Sequence, residues 1–211
     1  MNQLNLFGEP ATNNALSNIN PGINSIRNGE YYYYPSFFTR IESDLYLKDL
    51  KENILWKQES MNMYGKRINF PRLTSWYGDS HKPYSFSGIT LNPHAWSESL
   101  IGIKNKIEPI AQVSFNSVLL NRYRDGNDSI SWHTDAEKEL GINPVIASVN
   151  FGATRNFQLR HIETKEKVEI ELVHGSLLIM QGELQHFWQH QVPKTSRKIN
   201  ERINLTFRVI K

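Results

Sequence analysis

The chain has 211 residues, of which 24 are lysine or arginine and 21 are aspartate or glutamate, giving a formal net charge of +3. This length predicts one domain with or without a tail, and the small positive charge is compatible with a polyanionic partner without requiring one. The sequence has no cysteine, which excludes disulfides and thiolate metal sites and favours a reducing, cytoplasmic location. No apolar run of about 18 residues and no secretory signal pattern occurs, so neither a membrane span nor secretion is predicted.

The first 28 residues are rich in Asn, contain Pro and Gly and show no apolar periodicity. We therefore predict a mostly disordered tail over residues 1–28 and a folded domain over residues 29–211. The domain opens with an aromatic cluster at residues 31–38, which is expected to be core or strand edge.

Two helices are predicted before the β-rich part of the chain. Ser43 is a favourable N-cap for a helix that continues to about Trp56. Asn92 followed by Pro93 marks the start of the second helix. Each predicted helix has an apolar stripe at helical spacing, made of Tyr46, Leu50 and Ile54 in the first and Trp96, Leu100, Ile103 and Ile107 in the second.

Residues 60–90, between these helices, combine turns, aromatic side chains and cations. Met61 to Arg67 reads as a turn that carries Tyr64, Gly65 and Lys66. We expect this region to form a lid over a ligand.

Eight strands are predicted in the rest of the chain, which fits a jelly roll. Their predicted ranges are 113–124, 129–135, 145–151, 155–161, 167–173, 176–180, 186–191 and 201–210.

The second of these strands carries His133 and Asp135. Residues i and i+2 of a strand face the same side, so an imidazole and a carboxylate would project together. One more histidine would complete the two-His-one-carboxylate set that leaves coordination positions open on a non-haem Fe(II). His190 is our choice, because a hairpin return could carry it back to the first pair, and His186 on the same segment is its rival.

The last strand has an apolar face of Ile203, Leu205, Phe207 and Val209, and a polar face of Arg202, Asn204, Thr206 and Arg208. Either the polar face lies in water, or the arginines lie inside a barrel, where each needs an anion. The two arginines are about 20 Å apart along an extended strand, so they should not hold one small group together. One would hold the far carboxylate of an elongated diacid, and the other would act nearer the metal.

The spaced set of His133, Asp135, His190 and the Arg202–Arg208 strand resembles the signature of the AlkB family of Fe(II)/2-oxoglutarate dioxygenases. The resemblance runs from about Tyr31 to the C-terminus and is nearest to the subgroup that repairs alkylated DNA. It implies a mainly β (α+β) fold: a double-stranded β-helix, or jelly roll, buttressed by the N-terminal helices and carrying a nucleotide-recognition lid.

The same resemblance implies iron, 2-oxoglutarate and O2 as the cofactors and cosubstrates. Iron would be held by His133, Asp135 and His190, and 2-oxoglutarate by Asn121, Tyr123, Arg202, Asn204 and Arg208. The implied reaction is oxidative dealkylation of bases such as N1-methyladenine and N3-methylcytosine in DNA, releasing succinate, CO2 and formaldehyde.

The resemblance also assigns substrate contacts. Tyr64 would be the wedge that fills the gap left by a flipped base, with Gly65 and Lys66 beside it. The flipped base would be held by Tyr84 and Phe86, and its edge read by Glu137, while Lys66, Arg67 and Arg72 would contact phosphate.

A short motif in the tail comprises Gln3, Leu4, Asn5, Leu6 and Phe7. It resembles the Gln-Leu-x-Leu-Phe peptide by which bacterial DNA enzymes dock on the sliding clamp, and its alternative is an apolar staple on the domain itself. We expect a monomer in the cytoplasm, nucleoid-associated if the source is bacterial, with alkylated DNA as partner. Two alternatives remain open: an RNA demethylase of the same chemistry and a non-catalytic nucleic-acid-binding jelly roll.

Overall fold

Two facing β-sheets with helices packed on one of them form the body of the protein, as the predicted jelly roll requires. The computed structural model describes residues 22–63, 66–80, 84–86, 89–91 and 93–211. The helices are α1 (Arg40–Asn53), α2 (Glu98–Ala111) and a single turn, α3 (Leu184–Phe187). The strands are β1 (Gly22–Ile26), β2 (Gly29–Tyr34), β3 (Ser60–Met63), β4 (Lys66–Asn69), β5 (Leu73–Gly78), β6 (Tyr84–Phe86), β7 (Ile89–Leu91), β8 (Ser117–Tyr123), β9 (Ile130–His133), β10 (Ile146–Gly152), β11 (Arg155–His161), β12 (Lys167–Leu172), β13 (Ser176–Gln181), β14 (Trp188–Val192) and β15 (Arg202–Arg208).

The larger sheet has seven strands in the order β1-β2-β13-β10-β15-β8-β5, and the smaller has four in the order β12-β11-β14-β9. Their pairings are antiparallel, and β15 lies inside the larger sheet between β10 and β8. All eight predicted strands are present as β8 to β15. Of the other strands, β1, β2 and β5 belong to the larger sheet, and the rest form two short hairpins, β3-β4 and β6-β7.

The two larger apolar clusters form an outer and an inner layer on either side of the larger sheet, and a third, smaller cluster contains Trp76, Leu119, Leu140 and Ile210. The outer layer joins α1 and α2 to the sheet through side chains such as Leu50, Ile103 and Leu205. The inner layer lies between the two sheets and includes Ile146, Phe157 and Trp188. The helices therefore cover the outer face of the larger sheet, as predicted, and the polar face of β15 is left to point between the sheets.

Neither α1 nor α2 begins at the residue that the sequence predicted. Thr39, not Ser43, caps α1, because its side chain accepts from the Glu42 N–H while the Glu42 carboxylate accepts from the Thr39 N–H. This reciprocal capping box satisfies two backbone donors that a later start would leave exposed. Ser97, not Asn92, caps α2 through the Leu100 N–H.

The N-terminal part also differs from prediction. Residues 22–26, assigned to the tail, form β1 and pair with β2. Residues 31–34 of the aromatic cluster lie in β2, which also pairs with β13. The possible clamp-docking peptide at residues 3–7 lies outside the described residues. In the part of the chain that is described, no helix is long and apolar enough to cross a membrane.

Leu205 tests whether the buried face of β15 stabilises the fold. Its side chain is fully buried in the outer layer, so Leu205→Ala is expected to lower the free energy of unfolding by about 2–5 kcal/mol. The control is Ile41→Ala on α1, whose side chain is 74% exposed and should change stability by about 0.5 kcal/mol or less. Urea unfolding followed by circular dichroism measures both, and equal effects would contradict this packing scheme.

Candidate metal centre and adjoining cavity

His133, Asp135 and His190 converge between the two sheets. His133 ends β9 and lies directly opposite His190 on β14, with the two ring centroids 4.2 Å apart. One potential ligand atom from each of the three residues lies within 4.8 Å of the others. Such a two-His-one-carboxylate cluster, with three ligands and open positions, suits a divalent metal such as Fe(II).

Asp135 reaches this cluster in a different way from the one predicted. The strand ends at His133, and the Asp135 N–H donates to the side-chain oxygen of Gln185 at 2.9 Å instead of to a neighbouring strand. The carboxylate is 1% exposed. A glutamine from α3 therefore fixes the backbone of the acidic ligand.

The charges around the cluster keep its members in the protonation states that bind metal. Burial alone would raise the pKa of Asp135, but Arg208, His190 and His133 lower it to about 2. Burial lowers the pKa of His190 to about 3 and also lowers that of His133. At neutral pH the site therefore presents one carboxylate and two neutral imidazoles.

Hydrogen bonds orient two of these ligands. Nη2 of Arg208 donates to Oδ1 of Asp135 at 2.7 Å, while Oδ2 lies 3.9 Å from Nε2 of His190. Nδ1 of His133 lies 2.8 Å from the Ser131 carbonyl, so Nδ1 carries the proton and Nε2 is the free ligand atom. The rival His186 is exposed and bonds to the Asn143 side chain, so it does not join the cluster.

A cavity of about 500 Å³, including space open to solvent, adjoins the cluster and is lined by the polar face of β15. Arg208 lies at the metal end. Arg202, six residues away, is 1% exposed, and its Nε and Nη1 are buried without a hydrogen-bond partner among the described residues. Burial lowers the pKa of Arg202 to about 10, which leaves it cationic at neutral pH. A buried cation with unused donors is suited to an anion entering the cavity.

The remaining predicted cosubstrate residues also lie at this cavity, but they differ in the donors they leave available. Asn121 and Tyr123 line it from β8. Asn204 lines it too, yet its amide N–H groups already donate to Ser148, Asn150 and the Val149 carbonyl. In this conformation Asn204 holds β15 against β10.

The prediction that Arg72 contacts phosphate is wrong for this conformation. Its side chain is 5% exposed, and its Nε donates to Oδ1 of Asn121 at 2.8 Å. This bond occupies the amide oxygen, so the amide N–H groups of Asn121 are the ones left for a ligand. Arg72 therefore holds Asn121, which lines the cavity, in position.

The structure describes some of the residues predicted to contact the substrate and not others. Lys66 and Arg67 are exposed on β4. Glu137 is half-buried at the end of the segment that follows Asp135, and its Oε2 is buried without a hydrogen-bond partner in the described part of the chain. Tyr64 and Gly65 lie outside the described residues, and Tyr84 and Phe86 are described only as backbone of β6.

Several cavity residues were not predicted. Ser148 lines the cavity from β10, and Asn150 on the same strand accepts from Arg202 and Asn204. The alternation of Ala147, Val149 and Phe151 with polar residues is a period-2 signal that could have found both. The apolar lining comes from Leu119, Ile130, Phe157, Met180 and Val192. These carry no sequence signal that distinguishes them from ordinary core.

Comparison with known proteins agrees with this geometry. The family described as the 2OG-Fe(II) oxygenase superfamily matches residues 30–208. The human "alpha-ketoglutarate-dependent dioxygenase alkB homolog 3" is 43% identical over 188 residues, which cover 84% of this chain and 65% of the human protein. The bovine "DNA oxidative demethylase ALKBH2" is 36% identical, covering 84% of this chain and 68% of the relative. The chain thus spans about two thirds of the length of these relatives.

Solved structures agree at the level of the fold. The structure of OsALKBH1 has a TM-score of 0.60 and 16% identity, covering 89% of this chain and 99% of the other. A prolyl hydroxylase from Trichoplax adhaerens, in complex with a hypoxia inducible factor peptide fragment, has a TM-score of 0.59 and 12% identity, covering 86% of this chain and 84% of the other. Both the fold and the His-Asp-His cluster are therefore those of the family, and the chain belongs to the 2OG-Fe(II) oxygenase superfamily and, within it, to the AlkB family.

Proposed function

We propose that the protein is an Fe(II)- and 2-oxoglutarate-dependent dioxygenase that removes alkyl groups from base nitrogens in DNA. The observation that carries the proposal is the cavity itself. It has a two-His-one-carboxylate cluster at one end and, along β15, a buried arginine with unused donors.

Each end of the cavity matches one end of an elongated 2-oxo diacid. Arg202 would take the far carboxylate, and Arg208 would lie beside the 2-oxo acid end while it holds Asp135 ionised. Asn121, with its amide oxygen occupied by Arg72, would offer an N–H group to the same ligand. The apolar side chains of Ile130 and Phe157 would limit water at the metal.

When bound, iron and 2-oxoglutarate supply the oxidising power: with O2 they convert an N-methyl group to an N-hydroxymethyl group, giving succinate and CO2, and the adduct releases formaldehyde. The work of this chain is to hold the ligands and present the base. Glu137 has a buried carboxylate oxygen with no hydrogen-bond partner in the described residues, which suits the positive charge of N1-methyladenine or N3-methylcytosine.

DNA is the proposed substrate because the bovine relative is named as a DNA oxidative demethylase and because exposed cations lie on the β3-β4 hairpin. Lys66 and Arg67 would contact phosphate from there. Tyr64 and Gly65, which lie between β3 and β4 in the sequence, together with Tyr84 and Phe86, would present the flipped base. RNA with the same lesions is the alternative substrate.

Measuring the products released from each nucleic acid distinguishes DNA from RNA as the substrate. The assay measures formaldehyde and succinate with Fe(II), ascorbate and 2-oxoglutarate, on N1-methyladenine in matched single-stranded DNA, duplex DNA and RNA. We expect turnover on DNA and at least a 1000-fold loss in His133→Ala, on the order expected when an essential catalytic group is removed.

Each other outcome of that assay has a distinct meaning. Turnover on RNA alone would favour the RNA demethylase. Succinate without demethylation would contradict the proposed substrate but not the cofactors.

A separate binding measurement distinguishes loss of catalysis from loss of binding. We expect the affinity of His133→Ala for DNA, measured by fluorescence anisotropy, to equal that of the wild type.

His190 and His186, which are four residues apart, provide a matched test of the metal site. His190→Ala removes a ligand from the buried cluster, so binding of Mn(II) or Fe(II), measured by calorimetry, should weaken at least tenfold, the smaller end of the effects seen for altered metal sites. His186→Ala, four residues away and exposed, should bind metal like the wild type. Equal losses in both variants would contradict the assignment of His190.

We also propose that the tail peptide binds a bacterial-type sliding clamp through Leu4, Leu6 and Phe7, next to Gln3. The peptide would tether the enzyme at DNA and raise its local concentration without adding a domain. Changing Leu6 and Phe7 to Ala should abolish recovery of the clamp in a pull-down and leave turnover on short oligonucleotides unchanged. Unchanged clamp recovery would contradict the proposal.

A further inference from the structure

Arg155, the first residue of β11, is a buried arginine that the proposed reaction does not use. It is 3% exposed. Its guanidinium donates to three backbone carbonyls, those of Asp125, Asp128 and Pro193, at 3.2, 2.8 and 2.7 Å. The first two carbonyls lie in the connection from β8 to β9, and the third directly follows β14. Arg155 thereby joins the ends of the strands that carry Tyr123 and both metal-binding histidines.

Arg155 also contacts the cosubstrate end of the cavity through one aromatic ring. Its guanidinium carbon lies 5.5 Å from the ring centroid of Tyr123, and that of Arg202 lies 5.0 Å from the same centroid. Tyr123 is 2% exposed. Two buried guanidinium groups thus share one tyrosine ring, which limits the positions that the ring can adopt.

Among the described residues, no carboxylate accepts a hydrogen bond from Arg155 or Arg202. The three hydrogen bonds of Arg155 are all to neutral carbonyls. Burial lowers the pKa of Arg155, and Tyr123, Asp128 and Asp125 offset this only in part. The Asp128 carboxylate is already paired with Arg124 at 2.7 Å. The pKa of Arg202 is lowered mainly by its burial and further by Arg155, as expected of two cations close together in a buried place. An anion beside Arg202 would relieve this repulsion.

We propose that Arg155 is a positioning residue that makes the cavity selective for a diacid: it orients Tyr123 and adds a second positive charge behind Arg202, so that Arg202 binds the far carboxylate of 2-oxoglutarate more strongly. This inference rests on the proposed function, because it takes 2-oxoglutarate as the ligand. Arg155 lies behind Tyr123 and does not line the cavity, so its effect passes through the ring and through its charge.

Binding of two ligands distinguishes this role from a general structural one. The ligands are 2-oxoglutarate and 2-oxopentanoate, which has the same five-carbon chain and 2-oxo acid group but a methyl group in place of the far carboxylate. The dissociation constant of each is measured by calorimetry on Mn(II)-loaded protein, with competition against 2-oxoglutarate for the weaker ligand.

In Arg155→Gln we expect the affinity for 2-oxoglutarate to fall about tenfold, the size expected for loss of one partly screened charge near a buried carboxylate. The affinity for 2-oxopentanoate should change less than about twofold. Arg160→Gln is the matched control, because Arg160 lies on the same strand, is partly exposed and stacks on Trp132; it should alter neither affinity.

Other outcomes would overturn the inference. Equal weakening of both ligands in Arg155→Gln would show a purely structural role, and unchanged affinity for 2-oxoglutarate would show no role. If the Gln variant fails to fold, Arg155→Lys decides: it keeps the charge, so the preference for the diacid over 2-oxopentanoate should stay within about threefold of wild type, and its loss would contradict the inference. Failure of the wild-type protein to bind 2-oxoglutarate would instead overturn the proposed function itself.

Discussion

The structure depends on one constraint: β15 is buried on both faces, and one of those faces carries an arginine at each end. All seven of its residues are buried. The apolar face, with Leu205 at its centre, is covered by the helices and anchors the larger sheet. The polar face can be buried only if its charges find partners, because an unpaired charge in the interior is strongly unfavourable. The cavity and the metal centre lie where those partners are found.

The two arginines meet this requirement differently. Arg208 has its partner within the protein, since it binds the carboxylate of Asp135. The same contact keeps Asp135 ionised and turns its second oxygen towards the histidines, so one ion pair serves both the stability of β15 and the metal site. Arg202 has a neutral amide, Asn150, as its hydrogen-bond partner. Its remaining donors are what a dicarboxylate cosubstrate would occupy, and the fold thus sets the distance between the metal and the far carboxylate through strand geometry alone.

Sequence patterns predicted the features that repeat at a regular spacing. The predicted strands correspond to β8 to β15, and β14 returns beside β9 with His190 opposite His133. The expected return alone did not separate His190 from His186, which lies on the same segment. Alternation did not reveal that Asp135 lies past the end of β9, because its backbone is held by Gln185, fifty residues away. The choice of Ser43 and Asn92 as cap residues gave two wrong helix starts, since several Ser, Thr and Asn residues near each helix could act as caps and only the tertiary position of the helix selects one.

Charged residues were the hardest to interpret from sequence. Arg72 looked like a surface cation beside the lid, and the folded chain turns it inward onto Asn121. Arg155 gave no signal, because its partners are backbone carbonyls in two distant connections. A side chain that binds main-chain groups far away in sequence leaves no pattern in the chain, whereas the arginines of β15 were recognisable from their places on one alternating strand.

The most direct test of this account is a crystal structure of the protein prepared without oxygen in the presence of Fe(II) and 2-oxoglutarate. We predict iron bound by His133, Asp135 and His190, with the 2-oxo acid end of the ligand at the metal and its far carboxylate on Arg202. A ligand in the reverse orientation, or a far carboxylate that leaves Arg202 without an anion, would contradict the claim that β15 sets the position of the cosubstrate.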